Sequence, residues 1–135
     1  MKKLLGLGLA LLCLTACSDD DSAKPAVDTA KLTQKWYYVS TKIGGQTIPY
    51  DGNEACGKDY MEFLTANVVK DVDVYDCQQD PDVTTGSYTV ADKTLTTVLD
   101  GETIVYTMKK LDAKNLQLAT TFNGATITYV FTSTP

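Results

Sequence analysis

The sequence predicts an all-β domain, a small up-and-down antiparallel β-barrel of about eight strands, and three observations carry that expectation. From Lys31 onward the apolar residues recur close to every second position, and no stretch sustains the period of a packed helix. Asp100-Gly101 and Asn123-Gly124 each stand between alternating runs, and such dipeptides accept the positive φ that a two-residue hairpin turn demands at both positions. The remaining runs are short and mostly joined by tight turns, which suits an antiparallel meander. An open meander would leave two strand edges unpaired; closure into a barrel removes them. An open β-sandwich built from the same strands is the alternative.

Lys35 to Ile43 reads as the first strand, with Trp36 and Tyr38 on one face and Tyr37, Val39 and Thr41 on the other. Gly44-Gly45 turns the chain into Thr47-Ile48-Pro49, where proline ends the pairing because it has no N–H to donate. Asp51 to Lys58 is a polar loop, and Asp51-Gly52-Asn53-Glu54 within it reads as turn chemistry. Tyr60 to Leu64 follows, with Met61 and Phe63 sharing a face. Val68 to Tyr75 alternates valine with charge, as expected of a strand with one wet side. Gln78 to Thr85 is read as a loop around Asp80-Pro81-Asp82. Gly86 to Val90 aligns Tyr88 with Val90, and Thr94 to Leu99 aligns Leu95 with Leu99. Thr103 to Lys109 brings Ile104, Tyr106 and Met108 into register. After a turn at Asp112 to Asn115, Leu116, Leu118 and Phe122 share a face, and Ile127, Tyr129 and Phe131 close the chain on a matching one. The opposite faces are mostly threonine and valine, which fit a pleated, partly exposed surface.

Ahead of this domain, Lys2-Lys3 and the apolar run from Leu4 to Leu14 have the layout of a secretory signal. The run is about half the ~20 residues that a membrane-spanning helix needs. It ends in Leu14-Thr15-Ala16-Cys17, which resembles the lipobox of bacterial lipoproteins, in which the cysteine is acylated and becomes the new N-terminus. The division expected is a signal peptide over 1–16, a lipidated Cys17 with a flexible acidic tether over 17–30, and the barrel over 31–135. Ser18-Asp19-Asp20-Asp21 resembles the acidic export signal of surface-exposed lipoproteins of Bacteroidota, although a plain acidic spacer has the same composition. The resemblance implies attachment to the outer membrane through lipid, at the cell surface or, alternatively, on the periplasmic face.

Composition narrows the partners. The chain has twelve basic residues, all lysine, against seventeen acids, and no histidine. Loss of the signal would take the net charge from −5 to about −7. An acidic, arginine-free domain lacks the basic footprint of a nucleic-acid binder. Cys13 lies inside the signal, which leaves Cys56 and Cys77 as an even pair in an exported, oxidising setting. They are read as a disulfide closing a loop of about twenty residues, worth roughly 3 kcal/mol. A metal pair or a reactive thiol is the alternative, and with no histidine a zinc site would have to recruit carboxylates.

From Leu32 to Thr132 the chain resembles the lipocalin-like domain found in many small Bacteroidota lipoproteins. Leu32-Thr33-Gln34-Lys35-Trp36 at the first strand carries the resemblance, with Cys56-Gly57-Lys58-Asp59 ahead of Met61 and Phe63, then Cys77, then Gly86-Ser87-Tyr88. Gln34 stands where the family places a glycine two positions before the tryptophan. The resemblance implies a calycin-type barrel with a disulfide, Trp36 plugging one end, and no established reaction.

Without histidine there is no histidine triad, histidine base or histidine metal site. No phosphate-cradling glycine motif occurs, and no cofactor is implied. The enzyme class is therefore not expected. Asp71, Asp73 and Asp76, with Asp80 and Asp82, are candidates for a hard cation, but a solvated acidic edge accounts for them equally. Trp36, Tyr38, Phe63, Tyr88, Tyr106, Phe122, Tyr129 and Phe131 fall on the face assigned inward. In so small a barrel they either fill the core or line a cup for one small apolar ligand. Two functions follow: a lipid-anchored module that binds a small apolar molecule, or a filled, non-catalytic accessory protein of an envelope assembly.

Overall fold

The computed structural model describes residues 27–135; the signal run, the lipobox at Cys17 and most of the expected tether lie outside the described residues. Nine strands form in sequence: β1 (Lys35–Ile43), β2 (Gln46–Pro49), β3 (Tyr60–Leu64), β4 (Val68–Asp73), β5 (Asp82–Ala91), β6 (Thr94–Leu99), β7 (Glu102–Leu111), β8 (Asn115–Phe122) and β9 (Ala125–Thr132). From β3 to β9 each pairs antiparallel with the next, and β9 pairs back onto β1. Eight strands thus close a barrel, and β2 is an extra strand beside the upper half of β1.

Both hairpin turns form as expected. Asp100 and Gly101 take φ 50° and 78°, and Asn123 and Gly124 take 48° and 79°, the paired positive values that match the right-handed twist of the flanking strands. These tips, with the Gly44-Gly45 turn, lie at one end of the barrel. The Thr65–Asn67 and Asp112–Asn115 turns lie at the other, where a short 3-10 turn at Thr29–Lys31 crosses the base. At that turn Asp28 accepts from the Ala30 N–H, and Val27 packs against the core. The packed domain therefore includes Val27 to Ala30, ahead of Lys31.

Trp36 seals this base. Its ring is fully buried, and Nε1–H donates to the Leu32 carbonyl at 2.9 Å. Phe63, Val69, Leu95, Leu116, Leu118 and Phe131 pack around it, with Tyr88 edge-on to Phe63 at 5.1 Å. Gly86 stands where β5 changes partner from β4 to β6. A Cβ there would sit 1.9 Å from the Val98 carbonyl oxygen, so the two backbones approach this closely only because the position is glycine.

The strand assignments differ from expectation in four places. β4 ends at Asp73, not Tyr75, and β5 begins at Asp82, absorbing half of the stretch read as loop. A bulge at Val39 shifts the register of β1 on β9, so Thr41 and Ile43, in place of Ser40 and Lys42, lie opposite Tyr129 and Ile127. A second bulge at Lys109 brings Leu111 opposite Leu116. Each extra residue flips the face presented beyond it. Finally, β4 is no edge: β3 and β5 flank it, and Asp71 lies directly opposite the inward Met61.

Cys56 and Cys77 form a disulfide with 5.5 Å between their Cα atoms, tying the loop before β3 to the loop after β4. Deleting the Trp36 ring should leave a cavity at the base that its neighbours cannot fill. Trp36→Ala is therefore expected to lose about 3–5 kcal/mol of stability in urea denaturation; a loss below about 1 kcal/mol would show that the base is not sealed by this ring.

Candidate functional site

The open end owes its shape to where strand pairing stops. The β7–β8 register runs only from Thr107 opposite Ala119 down to Leu111 opposite Leu116. Above it the β6–β7 hairpin stays paired to its tip, as does the β8–β9 hairpin. The two hairpins part, and the space between them is a cavity of about 890 Å³. Ile104 and Val105 of β7 form one side, Phe122 of β8 the other, and Ile127 and Tyr129 of β9 contribute from behind, with Glu102 at the lip. Ile104 and Tyr129 point into the barrel, whereas Val105 belongs to the outer face, so the cavity passes through the wall.

Of the aromatic residues predicted to face inward, Trp36, Phe63, Tyr88, Tyr106 and Phe131 are buried, and Tyr38 and Tyr129 pack against them. Phe122 differs. It has the inward parity of Leu116 and Leu118, but it lies above the point where β8 leaves β7 and is 64% exposed. With β9 on one side but no β7 partner on the other, the ring forms part of the cavity mouth and not of the core. Trp36 belongs to the sealed base, so the ring set divides between a filled lower half and an open upper half.

Polar groups line the interior below the cavity. The Tyr38 hydroxyl on β1 donates over β3 to Asp71 Oδ1 on β4 at 3.0 Å, and the Tyr38 ring lies 4.7 Å from Phe131. Burial, and then the neighbouring Asp73 and Asp59 carboxylates, push the Asp71 carboxyl above its usual range, against the Tyr38 hydrogen bond. Burial likewise raises the Tyr38 phenol strongly, with Asp71 adding to it. Tyr106, 6.3 Å from Tyr129 between ring centres, is pushed up to about 12 by burial, then by Tyr129 and Asp71. Thr97 lies opposite Ile104, one step from Tyr106 on the same face. It is fully buried, and its hydroxyl faces that of Tyr106, whose phenol it holds down slightly against the effect of burial, without reaching good hydrogen-bond geometry. Tyrosine and threonine hydroxyls fit this interior because each can donate or accept, while their carbon skeletons pack with the core.

A second network supports the rim. Tyr50 stacks on Tyr38 at 5.0 Å, its N–H donates to the Val39 carbonyl at 2.9 Å, and its hydroxyl donates to Asp59. Asp59, almost fully buried, also accepts from the Val74 N–H at 2.7 Å. These bonds fasten both disulfide-linked loops beside Tyr38. The remaining acids considered for a cation are dispersed. Asp76 is occupied within its own turn by the Gln78 N–H and the Gln79 amide, and Asp73 lies opposite Asp82 at the rim. Among the described residues no three acids converge as metal ligands would. Asp71 and Thr97 are the site residues that periodicity did not assign; a threonine alternating with Leu95 and Leu99 was the available signal for Thr97.

A closed antiparallel barrel, plugged by a tryptophan at one end and open at the other, is a calycin-like architecture. The fold is lipocalin-like: a crystal structure of a lipocalin-like protein from Bacteroides uniformis superposes with a TM-score of 0.56 at 11% identity, over 73% of this chain and 96% of that one. An uncharacterized protein from Bacteroides eggerthii superposes with a TM-score of 0.59 at 13% identity, over 76% of this chain and 98% of that one. No family model matches the sequence, and no curated protein matches it. At such identities the likeness is one of fold.

The Asp71 environment predicts a measurable pH dependence. With its carboxyl raised, the folded chain holds a proton that the unfolded chain releases, so stability falls as pH climbs from the ordinary aspartate value through the raised one. Asp71→Asn removes that loss. In urea denaturation the variant should match the parent near pH 3 and exceed it near pH 7; a variant that loses stability relative to the parent between pH 3 and pH 7 would show that the charged form of Asp71 is favoured by the fold.

Proposed function

We propose that the protein is a non-catalytic binding module of the cell envelope, lipid-anchored through Cys17, that holds one small, largely apolar molecule in the cavity between the β6–β7 and β8–β9 hairpins. The observation that carries this reading is the lapse of the β7–β8 ladder above Thr107, which opens about 890 Å³ beside Ile104, Phe122, Ile127 and Tyr129. Burial of ~200 Å² of apolar ligand surface contributes about 5 kcal/mol at the usual coefficient. On its own this corresponds to a Kd of roughly 0.2 mM, and the cost of association weakens it, so affinity in the millimolar range is expected for so small a ligand. Envelope attachment is supported by the lipobox-like Leu14-Thr15-Ala16-Cys17, and surface exposure by Ser18-Asp19-Asp20-Asp21. The described residues enter the barrel at the Trp36 end, so a tether from Cys17 would lead to the sealed base, opposite the cavity.

The accessory-protein reading has one observation in its favour. Phe122, Val105 and Ile48 are exposed around the open end, at 64%, 54% and 50%, and exposed apolar groups also suit a protein partner. Mass spectrometry of organic extracts separates the two. Protein recovered from its native membrane fraction should carry a small apolar molecule. The Cys17→Ser chain should move to the soluble fraction, and Ile127→Trp, which fills the cavity, should abolish co-purification. Empty extracts from the parent would leave the accessory role, and retention of Cys17→Ser in the membrane would contradict the anchor.

A further inference from the structure

The cavity is walled by more than apolar side chains: β7 and β8 also turn unpaired backbone groups toward it. Leu99 with Glu102, and Phe122 with Ala125, flank two-residue turns, and residues in that position exchange N–H···O bonds with each other. Bonding sides alternate along a strand, so Glu102, Ile104 and Tyr106 are committed to β6, and Thr120 and Phe122 to β9. The Met108 N–H agrees with that parity, since it donates away from β8 to the Lys93 carbonyl at 2.7 Å. Thr103 and Val105 on β7, and Thr121 on β8, therefore aim N–H and C=O groups into the gap. They lie above the last pair of the ladder, Thr107 with Ala119. All three residues line the cavity.

Unpaired strand edges are templates for a further strand, and edges not meant for pairing are blunted with proline, lysine or an inward charge. β2, another free edge, is four residues long and ends in Pro49. The edges facing the gap carry no such guard. Thr103 to Thr107 and Ala119 to Phe122 contain no proline and no charge, and are rich in β-branched residues. A second folded copy does not fit between two hairpins through its own free edge, because its β2 is already paired to β1; a strand with both edges free does. We infer that the gap takes a short extended peptide, which pairs antiparallel with β7 through Thr103 and Val105 and meets Thr121 of β8 on its other side. This sharpens the binding reading above and rests on it. Residues directly opposite one another share a face. The peptide residue opposite Ile104 therefore points inward, onto Ile127 and Tyr129, and is apolar, while its neighbours point outward beside Val105 and Thr103 and are polar. The peptide runs toward the hairpin tip, where Asp100 and Glu102 favour a basic residue and oppose a free carboxylate. Main-chain bonds supply affinity and the inward pocket supplies selectivity, as in other cases of strand addition.

Amide hydrogen exchange of the full chain, followed by NMR, tests the inference and separates it from the binding reading. The probes are acetyl-Thr-Leu-Thr-Lys-amide, the same peptide N-methylated at both threonines, and 1-octanol. The first peptide should shift the Ile127 and Tyr129 amides. At saturation it should slow exchange of the Thr103, Val105 and Thr121 amides by about tenfold or more. 1-Octanol should shift Ile127 and Tyr129 without protecting those three amides. The N-methylated peptide lacks the N–H groups that meet β7 and should bind at least about tenfold more weakly. Octanol binding without peptide binding, equal binding of the two peptides, or a bound peptide that leaves Thr103 and Val105 exchanging freely would overturn the peptide assignment while leaving the cavity a binding site. Absence of shifts at Ile127 and Tyr129 with all three probes would overturn both.

Discussion

Pairing β9 onto β1 converts a meander with two open edges into a wall whose backbone groups satisfy one another, and the remaining features depend on how that closure is achieved. Six Cα pairs from Tyr37–Thr132 to Ile43–Ile127 make the seam, with a bulge at Val39 to absorb the curvature. Only the lower end of β1 pairs with β3, and β2 takes over the upper half. Closure thus fixes a tight lower barrel, into which Trp36, Phe63 and Phe131 pack, and a looser upper barrel whose hairpins diverge. The cavity is the consequence of that divergence, not an ornament added to a finished fold.

Charge and hydroxyl placement follow the same division. The lower interior is mostly apolar, and its indole N–H and Tyr88 hydroxyl are paired to the Leu32 and Leu64 carbonyls. The upper interior gathers Tyr38, Asp71, Thr97 and Tyr106, and the rim network of Tyr50 and Asp59 braces Tyr38 from outside. A carboxyl raised by burial costs stability once it is ionised. The disulfide between Cys56 and Cys77 and the carboxyl of Asp59 hold the loops at this end in place, so the less densely paired half of the barrel is the half that is fastened covalently.

Much of the fold was legible because its signals are local. Asp100-Gly101 and Asn123-Gly124 dictate hairpins by φ alone, and the alternation of Leu116, Leu118, Tyr129 and Phe131 marks an inner face directly. The bulges were not legible, since an inserted residue at Val39 or Lys109 leaves the apolar spacing on each side intact and shows only in the pairing. Asp71 was misjudged for a related reason. A charge on an alternating strand is read as solvent-facing, whereas the register with β3 turns it inward beside Tyr38. Phe122 carried the right parity, but whether a strand end is covered depends on where its neighbour stops, which is a property of the whole barrel. Thr97 lay in plain sight between two leucines, and its small size and β propensity disguised a polar position.

The account places ligand in the upper half alone, and NMR chemical-shift mapping of the full chain during titration with 1-octanol tests that claim most directly. Amides of Ile104, Phe122, Ile127 and Tyr129 should shift together, while the Trp36 indole and Leu32 at the sealed base should not move. Shifts centred on Trp36, or scattered over the outer face without Tyr129 and Ile127, would contradict it.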